Sequence, residues 1–142
     1  MTENISFEST NNFEISRPAE LSNWISHCIE GRDKQCGEIT YIFCSDEYLL
    51  EVNKKHLNHD YYTDIITFDY TEGNLVSGDL FISTERVSDN AKELNQPFDD
   101  ELHRVMIHGI LHLLGLKDKT EEEAEEMRKN ENLELEKRMW KL

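Results

Sequence analysis

The sequence has little proline or glycine and no long apolar run. Two Pro and six Gly among 142 residues exclude a collagen-like or low-complexity chain. No apolar run approaches the ~18 residues that a membrane-spanning helix needs, and the opening MTENISFEST lacks both the basic and the apolar region of a signal peptide. We therefore expect a cytoplasmic protein with no membrane partner, folded as a single domain over residues 1–142.

Cysteine is also scarce. The three thiols, Cys28, Cys36 and Cys44, are odd in number and form no C-x-x-C pair. This pattern argues against a disulfide framework and against a cysteine-ligated zinc site. We expect all three thiols to be reduced and to pack in the core.

Positive charge is scarce relative to negative charge. The chain carries 15 Lys and Arg against 30 Asp and Glu, for a formal net charge of -15 at pH 7. Nucleic-acid binders are normally basic, because neutralising phosphates supplies most of their non-specific affinity. A role on RNA would therefore require a local basic surface on this chain or a partner that supplies one.

Apolar patterning predicts four strands and five helices, and hence a mixed α+β domain. Alternation indicates strands at EITYIFCS, TDIITFDY and SGDLFIS, with a weaker one at ISFES, and the turn residues Glu72-Gly73-Asn74 predict that the last two strands are antiparallel neighbours. Helices are predicted from Pro18 to near Gly31, from an Asp46 N-cap to Leu57, through Val87 and Ala91 to Pro97, from Asp100 to Leu114, and from a capping box at Thr120 to about Leu142. The helix from Asp100 is apolar on nearly every side, so it is expected to be buried.

Two histidines lie near the end of that buried helix. His108 and His112 are separated by about one helical turn, so both imidazoles can face one point. Gly115 follows where a helix commonly ends in a left-handed residue, and the reversal would return Asp118 to the same point. Core histidines without a metal would need polar partners, and an apolar helix offers few. The spacing therefore favours a divalent metal with three protein ligands, which leaves a position for water as in catalytic zinc sites.

Gly109 occupies the position after the first histidine. Zinc peptidases with the H-E-x-x-H motif place a Glu there as general base, so peptide hydrolysis by that scheme is disfavoured. A glycine inside a helix costs about 0.5 to 1 kcal/mol relative to alanine. We expect this position to serve either close packing of another element or access for a bulky substrate.

Three sequence blocks together match the pattern of a known family. The motif H-G-x-L-H-L-x-G-x-x-H is matched from His108 to Gly115, N-x-x-x-R-x-x-x-x-x-T-D-V-L-S-F is matched in part from Asn53 to Phe68, and a Gly-Asp pair begins at Gly78. These blocks occur in the right order over roughly residues 38 to 140. They resemble the YbeY family of single-strand-specific endoribonucleases.

The resemblance implies a function and a site. The function is maturation of ribosomal RNA, at the 3′ end of 16S rRNA, within ribosome biogenesis, with single-stranded precursor rRNA and the small ribosomal subunit as partners. The implied fold is a central four-stranded sheet flanked by helices, with one zinc ion per chain in a cleft. Zinc held by His108, His112 and Asp118 would lower the pKa of its water and polarise a phosphoryl oxygen for phosphodiester cleavage.

Two positions depart from the family pattern. Asp118 stands where the family has its third histidine, and a carboxylate is a harder ligand than imidazole, although zinc accepts both. Leu57 stands where the family has an arginine, so the cation expected to hold a phosphate is missing. The candidate substrate-binding residues nearby are Lys54, Lys55, His59 and Asp64.

The remaining ionisable residues give weaker signals. Asp64 and Asp79 are candidates for a general base, but each equally suits the capping of a turn. His103 lies about 140° from His108 around the helix and does not share its face, and His27 is expected to be structural or at the surface. The acidic run after Thr120 is interpreted as a solvated helix face with no catalytic role.

Two other functions fit the same residues. A metal-binding ribosome assembly factor with little catalysis would explain the acidity and the missing arginine, because a protein partner would then do the recognising. A metal-dependent hydrolase or oxygenase of a small molecule is the third alternative, since two His and one carboxylate also describe the non-haem iron triad. Metal content, measured alongside cleavage of a single-stranded RNA, would separate the three.

Overall fold

The computed structural model describes residues 4–138 and residue 140, and in this part of the chain five helices surround one four-stranded sheet. The elements in chain order are β1 (Ile5–Ser9), α1 (Pro18–Glu30), β2 (Gln35–Cys44), α2 (Asp46–Leu57), β3 (Ile65–Asp69), β4 (Leu75–Ser83), α3 (Thr84–Glu93), α4 (Phe98–Leu113) and α5 (Glu121–Leu135). The sheet order is β1-β2-β4-β3, with β3 and β4 antiparallel and the other two pairs parallel. The predicted α+β fold with a mixed four-stranded sheet is therefore confirmed.

The central helix of the fold is α4. Its inward residues, among them Leu102, Met106 and Ile110, are at most 1% exposed, and it contacts β3, β4, α1, α3 and α5. The predicted burial of this helix is confirmed. In the described part of the chain, no helix is long and apolar enough to cross a membrane. Because other elements hold α4 on several sides, the side chains at its C-terminal end occupy defined positions.

The predicted N-cap of α2 is wrong by one residue. Ser45 caps the helix, since its hydroxyl accepts a hydrogen bond from the Tyr48 N–H at 3.1 Å. Asp46 is the first helical residue, and its carboxylate lies 2.6 Å from Arg86 of α3. Both residue types suit an N-cap. Because the Asp46 carboxylate is paired with Arg86, the Ser45 hydroxyl makes the capping hydrogen bond.

The predicted end of α5 is also wrong. The helix ends at Leu135 instead of near Leu142, and residues 139, 141 and 142 lie outside the described part of the chain. A longer helix would need the Glu134 carbonyl to accept from the N–H of Arg138. The Trp24 indole N–H donates to that carbonyl at 2.8 Å, and the Arg138 N–H turns to Leu135.

The three thiols form no disulfide. Cys28 and Cys44 are buried, and Cys36 is half-buried. Burial raises the pKa of the Cys44 thiol to about 12, so this group stays protonated at neutral pH and is unreactive. The expectation of free cysteines packed in the core is confirmed for Cys28 and Cys44, whereas Cys36 lies at the core's edge.

Gly109 lies where α4 packs against the sheet. A Cβ added there would be 2.3 Å from Leu80 Cδ2 and 2.8 Å from Ile65 Cδ1, both far inside contact distance. Leu80 itself is fully buried. Of the two explanations for this glycine, close packing therefore accounts for it.

We expect Gly109→Ala to lower the free energy of unfolding. Overpacking a core costs about 1 to 3 kcal/mol, which exceeds the ~0.5–1 kcal/mol that alanine gains in helix propensity. Urea denaturation would measure the change, with Glu125→Ala on the exposed side of α5 as a control. Equal or higher stability of the variant would show that Leu80 and Ile65 can move aside at no cost.

Candidate metal centre

The end of α4 and the loop after it bring His108, His112 and Asp118 together. The Nε2 atoms of the two histidines are 3.1 Å apart. The chain reverses at Gly115, whose φ of +102° lies in the left-handed region that favours glycine. Asp118 returns so that its Oδ2 lies 3.3 Å from His108 Nε2 and 3.4 Å from His112 Nε2. Three potential ligand atoms therefore meet at one point.

The spacing of these three atoms fits a tetrahedral metal ion. Zinc binds His nitrogen at about 2.0–2.1 Å and carboxylate oxygen at about 2.0–2.2 Å, so two ligands of a tetrahedral site lie about 3.3 to 3.5 Å apart. The observed separations of 3.1, 3.3 and 3.4 Å are close to that value. The group can hold a divalent metal ion with one coordination position left open.

Hydrogen bonds orient both histidines toward that point. His108 Nδ1 lies 2.6 Å from Glu131 Oε2, and His112 Nδ1 lies 3.0 Å from the Leu116 carbonyl oxygen. A carbonyl and an ionised carboxylate only accept hydrogen bonds, so each Nδ1 carries the proton and donates it. The lone pair of each Nε2 is then free for a metal, as in most metal-ligating histidines.

Glu131 is a buried anion behind His108. Its side chain is 2% exposed, and its second oxygen, Oε1, lies 3.1 Å from Arg104 Nη1. Burial by itself raises the pKa of Glu131, but the hydrogen bond from His108 and the charge of Arg104 together hold that pKa below its ordinary value. The carboxylate is therefore ionised at neutral pH, and by accepting the Nδ1 proton it makes His108 Nε2 a stronger ligand for a metal.

The interpretation of the acidic run after Thr120 as only a solvated helix face is wrong. Met127, Glu131 and Glu134 are at most 2% exposed, and their helical spacing makes them the inward face of α5. Glu134 lies 2.6 Å from Arg32. The three residues form one stripe along the helix, but two of them are acidic. Hydrophobic periodicity in the sequence therefore does not reveal this buried face.

An open cavity of about 590 Å³ adjoins the three candidate ligands. Its volume is within the range of about 300 to 1,000 Å³ that is common for ligand sites. The carboxylates and the one lysine or arginine among the described residues that line it are Asp64, Asp69, Asp118 and Lys119. The cavity therefore supplies little positive charge of its own for a phosphate.

Two of the four candidate substrate-binding residues line this cavity. His59 and Asp64 do, whereas Lys54 and Lys55 are not among its lining residues. The Lys54 ammonium lies 3.7 Å from an Asp60 carboxylate oxygen, so an opposite charge partly neutralises it.

The other ionisable residues singled out in the sequence are not among the cavity's lining residues. Asp79 lies within β4, opposite Phe68 of β3. His103 is buried beside Trp24, on a different face of α4 from His108 as its spacing predicts. His27 is exposed on α1.

Comparison with known proteins decides the family. Residues 4–138 match the family model described as Endoribonuclease YbeY. The chain belongs to the YbeY endoribonuclease family. A protein named Endoribonuclease YbeY from Christiangramia forsetii is 54% identical over 127 residues, 89% of each chain. Another of that name from Bacteroides fragilis is 57% identical over 116 residues, 82% of this chain and 84% of the relative.

A solved structure supports the fold. The solution structure of TM1509 from Thermotoga maritima is 27% identical, covers 92% of this chain and 88% of its own, and superposes with a TM-score of 0.64. The family resemblance drawn from the sequence motifs is thus confirmed, and so is the implied four-stranded sheet flanked by helices.

This YbeY chain differs from the family pattern inside the cavity. Leu57 lines it at the position where the family motif has arginine. Sequence reasoning missed two residues here. Tyr61 also lines the cavity, and Asn53, although part of a matched motif, had no role assigned. The only signal for Tyr61 was its place in a polar, aromatic segment just after α2.

Proposed function

We propose that this YbeY family member is a zinc-dependent endoribonuclease that cuts single-stranded RNA during rRNA maturation. The observation that carries the proposal is the convergence of His108 Nε2, His112 Nε2 and Asp118 Oδ2 in the lining of an open cavity. Imidazole donors favour zinc and other transition metals over magnesium. Family membership supports a nuclease over a hydrolase of small molecules.

Each part of the site has a role in this proposal. His108, His112 and Asp118 would hold a divalent metal, which would supply a Lewis acid for a phosphoryl oxygen and for the activation of water. The Glu131 carboxylate and the Leu116 carbonyl fix the imidazole rings by accepting their Nδ1–H protons. The cavity gives a single strand access to the metal from one side.

The proposed substrate is precursor rRNA presented by the small ribosomal subunit, near the 3′ end of 16S rRNA. With a net charge of -15 and Lys119 as the one lysine or arginine among the described residues of the cavity lining, this chain makes few phosphate contacts. Phosphate contacts supply most of the non-specific affinity for nucleic acid. In this proposal, binding to the ribosomal particle compensates for the small number of phosphate contacts. A protein with that partner acts in the cytoplasm.

Removal and return of the metal tests the proposal. A chelator is expected to abolish cleavage of a single-stranded RNA, and excess Zn²⁺ is expected to restore it where excess Mg²⁺ does not, because Mg²⁺ prefers oxygen ligands. The same RNA annealed to its complement serves as the control and stays intact. Cleavage that persists in chelator, or equal cleavage of the duplex, would contradict the proposal.

A further inference from the structure

A stacked aromatic pair borders the metal site. The rings of Tyr61 and His59 have centroids 5.1 Å apart and an interplanar angle of 22°, and the Tyr61 hydroxyl lies 2.9 Å from His59 Nδ1. Tyr61 is 55% exposed. Both residues line the cavity that holds the three candidate metal ligands. A partly exposed aromatic surface thus lies in the same cavity as those ligands.

A buried side chain holds the segment that carries this pair. Asn53 is 1% exposed, and its Nδ2 donates to the Tyr61 carbonyl at 2.9 Å. The backbone carbonyl of Asn53 accepts from the backbone N–H groups of Asn58 and His59. Because these bonds order the segment before a ligand arrives, little conformational entropy is lost on binding.

The charge of the cavity argues against recognition through phosphates alone. Three carboxylates, those of Asp64, Asp69 and Asp118, line it with Lys119 as the one lysine or arginine among its described residues. A bound divalent metal offsets part of that negative charge. Stacking of a nucleobase on an aromatic ring does not depend on net charge, and each stacked base changes affinity by about 5- to 150-fold. The lining of this cavity therefore favours stacking over phosphate contacts as a source of affinity.

We propose that Tyr61, backed by His59, is a stacking subsite for one nucleobase of the single-stranded RNA bound in this cavity. The inference rests on the proposed endoribonuclease function. In a duplex the bases stack on one another and their faces are covered, whereas a single strand can offer a base to Tyr61. The subsite contributes to the preference for single strands with little discrimination among bases, since every base has a π face.

Binding of a fluorescent single-stranded oligoadenylate to the full chain tests the subsite. The measurement is made in chelator, so that no cleavage interferes. Tyr61→Ala is expected to weaken binding by about 5- to 150-fold. Tyr61→Phe keeps the ring and is expected to stay within about twofold of the original affinity. Tyr70→Ala is the matched control, because Tyr70 is 57% exposed and is not among the cavity's lining residues.

An oligomer of equal length without bases separates stacking from other contacts. The unaltered protein is expected to bind it more weakly than oligoadenylate, and Tyr61→Ala is expected to bind the two alike. The subsite is overturned if Tyr61→Ala binds oligoadenylate as the unaltered protein does, if Tyr61→Phe loses as much as Tyr61→Ala, or if the unaltered protein does not bind. Thermal melts measure whether each variant folds. If Tyr61→Ala does not fold, two measurements decide the question: the binding of the base-free oligomer by the unaltered protein, and the affinity of Tyr61→Phe for oligoadenylate.

The two proposals fail in different ways. Binding that depends on Tyr61, without metal-dependent cleavage, would contradict the endoribonuclease function and leave the subsite standing. Metal-dependent cleavage with binding that is indifferent to Tyr61 would contradict the subsite and leave the function standing.

Discussion

In His112→Ala, bound zinc is expected to fall from about one ion per chain to near zero, and cleavage of single-stranded RNA is expected to fall with it. His112 Nε2 lies 3.1 Å from His108 Nε2 and 3.4 Å from Asp118 Oδ2, so its loss leaves two protein ligands. Loss of a residue that merely orients a ligand costs about 10- to 100-fold in metal affinity, and loss of the ligand itself costs more. Because α4 is packed on several sides, it cannot shift to supply a substitute.

Elemental analysis of protein purified without chelator measures the effect, and His27→Ala, on the exposed side of α1, is the control. His108→Ala is expected to behave like His112→Ala, with a far-UV circular dichroism spectrum near that of the unaltered chain. Full zinc content in either ligand variant would contradict the site. Loss of the fold in both would make the metal structural and favour a ribosome assembly factor with little catalysis.

The candidate ligands were predictable because their positions depend on local geometry. His108 and His112 lie on one helical face, and the left-handed Gly115 reverses the chain to Asp118 within a few residues. The burial of α4 was equally predictable from its apolar residues. Such inferences need only helix periodicity and one turn, both of which are encoded by neighbouring residues.

Glu131 was not predictable because its role depends on packing. It is 23 residues from His108 in sequence and reaches it only because α5 packs on α4. In an acidic run, nothing in the composition distinguishes a glutamate that is buried from one that is exposed to solvent. Its buried charge is paired with Arg104 of α4, a contact that the packing of these two helices also creates.

The order of the strands shows a similar division. The Glu72-Gly73-Asn74 turn predicted that β3 and β4 are antiparallel neighbours, and they are. The parallel pairing of β4 with β2 has no such local signal, because parallel strands are joined through distant crossovers. That pairing places β4 under α4, where Leu80 meets Gly109.

Glu131→Gln is expected to weaken zinc binding by about 10- to 100-fold while the zinc-free chain keeps most of its stability. Glutamine has nearly the same shape, but it lacks the negative charge of the carboxylate. That carboxylate accepts the His108 Nδ1–H at 2.6 Å and makes Nε2 of the same ring a stronger metal ligand. Arg104 retains a partner in Glu101, whose Oε1 accepts from Arg104 Nε at 2.9 Å. Arg104, whose side chain is 16% exposed, therefore stays paired in the variant; loss of one partner of a fully buried ion pair would cost about 3 to 5 kcal/mol.

Competition with a zinc chelator of known affinity measures the change, and urea denaturation of the zinc-free protein measures stability. Glu125→Gln is the matched control. Glu125 is exposed on the same helix, so this substitution removes one negative charge without changing the hydrogen bond to His108. A zinc affinity that is unchanged in Glu131→Gln, together with a large loss of stability, would show that the carboxylate only pairs with Arg104. A large loss of affinity in Glu125→Gln would mean that net charge, and not the hydrogen bond to His108, sets metal binding.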